Sequence, residues 1–67
     1  MKVVWLVTHG EYGEGRTPVS VWERKKKAIK AALAQTTYFP GGWKPHGDDE
    51  WRNGCDIVTV EKFEVQQ

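Results

Sequence analysis

Three groups of residues in this 67-residue chain have the types that do chemistry or recognition. The first is "RKKK", Arg24, Lys25, Lys26 and Lys27, with Lys30 one turn further on. Adjacent cations beside the free amides of a helix start suit an anion, either a phosphate backbone or an acidic protein surface. They also break a local rule. A helix start carries about half a positive charge, so each cation there costs about 0.3–1 kcal/mol, and such violations concentrate at functional sites. The plainer alternative is a solvated face that keeps the chain soluble.

The second group is "HGDDE", with His46, Asp48, Asp49 and Glu50. A histidine beside acids suggests a metal site or an acid–base pair. Consecutive acids, however, lack the alternating spacing of a calcium loop. Recruiting His9, Glu11 or Cys55 would need separate segments to converge, and no nucleophile signature accompanies the histidine. "GEYGEG", residues 10–15, lacks the strand-to-helix setting and the lysine of a phosphate loop. No catalytic residue, metal ligand or cofactor is therefore assigned, and the chain is read as non-enzymatic.

The third group is aromatic. Four tryptophans exceed what so small a core needs. Trp43 and Trp51 flank the polar centre of a long loop and, with Tyr12, would serve as exposed anchors for a protein partner. In the alternative, the tryptophans fold back as a small core that covers an otherwise open sheet face. Tyr38 and Phe39 could join either group.

The elements that must position these residues form one domain, 1–67. At this length a chain buries only about 60% of its extendable surface, so the core is small. Net charge is +1, which argues against strong overall steering to nucleic acid, but residues 1–35 balance at +4 and residues 36–67 at −3. The single cysteine, Cys55, excludes an internal disulfide and fits a reducing cytoplasm; as a small hydrophobe at a strand start it is expected to be buried. No apolar run approaches the roughly 20 residues that span a bilayer, and no secretory leader is read at the start. Monomer and homodimer are both open.

"KVVWLVTH", 2–9, reads as a strand with two apolar faces, and hence as the central one. A glycine-rich turn follows. "TPVSVWE", 17–23, reads as a second strand, with Pro18 at its start or on an edge. "RKKKAIKAALAQ" is helical: Ile29, Ala32 and Leu33 form one narrow stripe, with Ala28 and Ala31 beside it. Ser20 and Glu23 have capping-box spacing, but a start near Glu23 leaves a strand long enough to pair. Residues 38–53 have no sustained period and read as a long loop. "CDIVTVEKFEV" returns to strand character. Its apolar residues change phase, which suggests a bulge near 60–62 or two short segments. The order β-β-α-β predicts an α+β domain, with a three-stranded, mainly antiparallel sheet and one helix on one face.

"KVVWLVTHGEYGEG", "VSVWERKKKAIKAALA" and the closing "DIVTVEKFEV" together resemble small accessory proteins frequent in tailed-phage and prophage genomes. The likeness covers most of the chain outside 38–53 and carries no catalytic motif. It implies a phage-encoded factor acting in the cytoplasm of a bacterial host cell. On this reading the chain binds a host protein, to inhibit host defence or redirect host machinery, with Arg24, Lys25, Lys26, Lys27, Lys30, Tyr12, Trp43 and Trp51 as contact residues. The alternative is a small nucleic-acid-binding protein that uses the basic helix start.

Overall fold

A computed structural model describes residues 2–11, 13–38 and 41–66. Its elements are β1 Lys2–Glu11, β2 Gly15–Trp22, α1 Lys25–Tyr38, β3 Lys44–Pro45, β4 Glu50–Asn53 and β5 Asp56–Val65. They build one five-stranded sheet in the order β2-β1-β5-β4-β3, antiparallel throughout. The expected three-stranded sheet is thus corrected. β2-β1-β5 and the helix are as the β-β-α-β pattern implies, but the segment read as a long loop holds two further strands. Gly54 and Cys55 form a two-residue hairpin closed by Asn53 opposite Asp56. Gly54 has φ 61, the positive value that such a turn requires and that glycine supplies without strain. Cys55 consequently sits exposed at the hairpin tip, not buried at a strand start.

β1 and β5 are the spine of the domain. They pair over their full length, from Lys2 opposite Val65 to Glu11 opposite Asp56. The phase change in β5 needs no bulge, because the strand uses both faces: Val58 and Val60 turn toward the helix, while Ile57, Phe63 and Val65 turn away. The irregularity lies in the β1–β2 ladder instead, where the register shifts between Val7 and Thr8 and leaves Val19 as the extra residue.

Lysine, alanine, leucine and glutamine are strong helix formers, and α1 is rich in them. The helix runs past its expected end, and in its last turns Thr36 and Thr37 donate their hydroxyls to the carbonyls of Leu33 and Ala34, both at 2.6 Å. Its buried stripe centres on Ala28 and Ala32, both fully buried, whereas Leu33 is 46% exposed. Close approach to the sheet explains the correction. Only alanine-sized side chains fit where the helix backbone lies nearest the strands, so the longer Ile29 and Leu33 flank the contact. The core cluster is Val7, Ala28, Ala32, Trp51, Val58 and Val60, with Trp5, Trp22, Ile29, Ala31 and Trp43 packed around it.

Trp51 and Trp43 therefore enlarge the helix-side core and do not roof the other face, as a lid over the open side would. Among the described residues, no helix or second sheet lies over the other face. Its centre is polar: the buried Thr8 and Thr59 hydroxyls bond at 2.5 Å, flanked by Arg16–Glu61 at 2.8 Å and by Arg52–Glu50 at 2.5 Å. Apart from Ile57, its apolar residues gather at one end, where Val21 lies opposite Leu6 and Val4 opposite Phe63.

Candidate functional site

Of the basic residues at the helix start, Lys27 and Lys30 lie on the side of α1 that faces β2. Arg24 occupies the helix cap, its carbonyl accepting the Ala28 amide at 3.1 Å. Lys25 turns away to Asp48, at 3.5 Å, and ties the helix start to the loop before β4. Lys26 is exposed. Lys27 and Lys30 line a groove of about 470 Å³ between α1 and the edge strand β2, together with Val19, Trp22, Ala31 and Ala34. Among the described residues, no acidic side chain lies within 4 Å of either Lys27 or Lys30.

The groove follows from local sequence. Residues 27, 30, 31, 34 and 35 recur at the spacing of one helical face. This second stripe runs beside the buried Ala28–Ala32 line and looks out past β2. Its small alanines leave a trough, and the two lysines rim it. On the strand side, the register shift pushes out Val19, which is 45% exposed. Trp22 forms the end wall, half-buried, its indole N–H donating to the Ser20 hydroxyl at 2.8 Å. A second depression adjoins it round Trp22 toward Val21, Glu23 and Arg24, sharing Lys27. Glu23 adds an acid there but is held by Lys2 at 2.5 Å. That hydrogen bond and the lysine charge keep its carboxyl below the usual glutamate range. The surface around the groove is accordingly apolar at its floor and cationic at its rim.

The aromatic candidates divide. Trp51 is only 9% exposed and belongs to the core, so the exposed-anchor reading does not hold for it. Trp43 is half-buried and meets His9 edge to face, with ring centroids 6.3 Å apart. His9 also approaches Asp56, at 3.9 Å. Tyr12 and Phe39 lie outside the described residues, as does the side chain of Tyr38. The aromatic member of the groove is Trp22. Its sequence signal was present, since it closes β2 one residue before the charged run, but it reads equally well as a shield for the helix entrance. Val19, Ala31, Ala34 and Gln35 were not legible as site residues, because apolar and small side chains on a helix read first as core.

The acidic segment shows no convergent donor set. His46, Asp48 and Asp49 are exposed, Glu50 bonds Arg52, and among the described residues no group of three or more His, Cys, Asp or Glu side chains could hold a metal ion. No helix among the described residues is long and apolar enough to cross a membrane. Comparison of the chain with protein-family models, curated proteins and solved structures finds no match to any of them.

Proposed function

We propose that the protein is a non-enzymatic protein-binding module whose groove between β2 and α1 takes an extended acidic segment of a partner protein. The observation that carries this reading is the pairing of an apolar floor, Val19, Trp22, Ala31 and Ala34, with the cationic rim of Lys27 and Lys30. An apolar floor takes aliphatic side chains, and lysines at the rim favour acids between them and suppress cationic competitors. A phosphate backbone would use the rim but leave the floor unfilled, and Lys25, drawn to Asp48, is not aligned with it. The resemblance of the sequence to phage accessory proteins supports a bacterial host protein as the partner, bound so as to inhibit or redirect it in the host cytoplasm.

A titration with a synthetic peptide of alternating glutamate and leucine tests this, in parallel with duplex DNA at two salt concentrations. The peptide should bind in the micromolar range at physiological salt. Combined Lys27→Glu and Lys30→Glu should weaken it by at least about tenfold, while DNA binds negligibly. Micromolar DNA binding with a log–log salt slope of roughly −3, and no peptide binding, would replace this reading with the nucleic-acid one.

A further inference from the structure

The sheet has an edge that the protein does not use. β4 covers β5 only from Asn53–Asp56 to Glu50–Thr59, and the last contact beyond that ladder is the Val60 amide donating to the Asp49 carbonyl at 2.8 Å. β1, by contrast, follows β5 to Val65. Among the described residues no strand pairs with the outer side of 61–65. Alternation along a strand then sets the direction of every main-chain group. Val60 points its amide toward β4, so Lys62 and Glu64 point theirs the same way, into the open, while Glu61, Phe63 and Val65 point theirs toward β1.

We propose that this edge is a self-association site, at which two copies of the chain pair antiparallel through 61–65 about a two-fold axis at Phe63. The segment reads Glu-Lys-Phe-Glu-Val. Paired with itself about its centre, it sets Lys62 opposite Glu64 of the second copy, and Glu64 opposite Lys62 of the second copy. Those are the residues whose amides and carbonyls face outward, so each such pair exchanges both main-chain hydrogen bonds and brings opposite charges together. Phe63 meets Phe63 of the second copy at a non-hydrogen-bonded position, where facing side chains come closest. An isologous contact of this kind closes as a dimer and cannot propagate.

Charge selects the register. Centring the axis on Lys62 sets lysine against lysine, and centring it on Glu64 sets glutamate against glutamate. Like charges directly opposite are destabilising, so of these three centres only Phe63 is free of them. The exposed apolar surface agrees with that choice. Phe63 and Val65 are 47% and 43% exposed, on the face that has no helix. Phe63 lies opposite Val4 within the chain, so the contact would continue an apolar strip from Val4 through the paired phenylalanines. The chain exposes 4872 Å², where a folded monomer of this mass exposes about 4,300 Å². The other sheet edges are closed to such pairing. β2 carries Pro18 and the register shift at Val19, and β3 is two residues long and contains Pro45; proline and irregular register are devices that blunt edges. The segment 61–65 has neither. The site is distinct from the groove, which lies at the opposite edge of the sheet.

Five residues of strand and one aromatic pair make a small contact, so the dimer should be weak, with a Kd on the order of 10 μM to 1 mM. Sedimentation equilibrium of the full chain over that range should show monomer and dimer. Lys62→Glu alone, or Glu64→Lys alone, should weaken association by about tenfold or more, because each creates two symmetry-related like-charge pairs. The double exchange of Lys62→Glu with Glu64→Lys should restore it. Mixing the two single variants should give a heterodimer, since each supplies the charges the other lacks. The variants lie on an exposed edge, and their circular dichroism should match the parent. A chain that stays monomeric at 1 mM overturns the proposal. So does a dimer that the single variants leave intact, or one that the double exchange fails to rescue.

Discussion

The outer edge at β2 and the outer edge at β5 are both stretches of unpartnered strand, yet they are built in opposite ways. At β2 a proline and an extra residue break the regular run of donors, and the helix stands alongside, so the strand offers side chains and a trough more than a ladder. At 61–65 the strand is regular, and charge alternates with apolar side chains. One edge is therefore suited to reading a partner's side chains and the other to hydrogen-bonding a partner's backbone. Sheet edges are a hazard that proteins blunt, and this one blunts its edges unequally. An edge left regular, with its main-chain groups and its charges in complementary order, is where pairing is permitted.

The comparison depends first on how far β4 covers β5, and Trp51 decides that. Trp51 is the one core residue in β4, lying opposite Val58. Trp51→Ala should cost about 3–5 kcal/mol by leaving a cavity under the last two strands. Urea denaturation measures the loss. Because β3 and β4 would loosen, the free edge of β5 would lengthen, and the variant should associate more strongly than the parent at equal concentration. Unchanged stability would mean that Trp51 is not part of the core.

The direction of the main-chain groups can be tested with proline at adjacent positions. Phe63 directs its amide to β1, so Phe63→Pro should lose a ladder bond and cost at least about 2–3 kcal/mol, seen as a clear fall in Tm. Lys62 directs its amide outward, so Lys62→Pro should change stability by less than about 1 kcal/mol and still remove self-association. Equal effects of the two prolines on Tm would contradict the alternation on which the free edge rests.

The smallest expected effect is electrostatic and belongs to the β2 side. Lys2 lowers the Glu23 carboxyl from its ordinary value, and this pair contributes above that value and is lost as pH falls through the lowered one. Lys2→Ala should return Glu23 to the ordinary glutamate range, readable in an NMR titration of its side chain. Both groups are exposed and the bond is a surface one, so Tm should hardly move. A Glu23 titration unchanged by the substitution would show that the ion pair does not form in solution.

Much of this was legible in the residues themselves. "KVVWLVTH" announced a strand with neighbours on both sides, the alanines announced a helix pressed close to a sheet, and "DIVTVEKFEV" announced the closing strand. The two short strands were not. β4 has one apolar residue, Trp51, among Glu50, Arg52 and Asn53, and β3 has two residues and a proline, so neither has a period to detect. The available signal was Gly54, a glycine at the first central position of a two-residue turn, but among neighbouring glycines and prolines it reads as loop. Of the site, the cations were visible and their division was not. That Lys25 leaves for Asp48 while Lys27 and Lys30 stay at the groove depends on a loop that is close only in three dimensions.

What the sequence determined by itself is periodicity: which runs extend, which coil, and which faces are apolar, because these follow from local backbone geometry and side-chain type. What only the tertiary structure decided is where coverage stops. The helix shelters one face because alanines let it approach, the groove opens because β2 ends the sheet beside it, and 61–65 stays unpaired because β4 is shorter than β5. Each of these is a difference in reach between elements distant in the chain, and reach is set by packing, which no local pattern encodes.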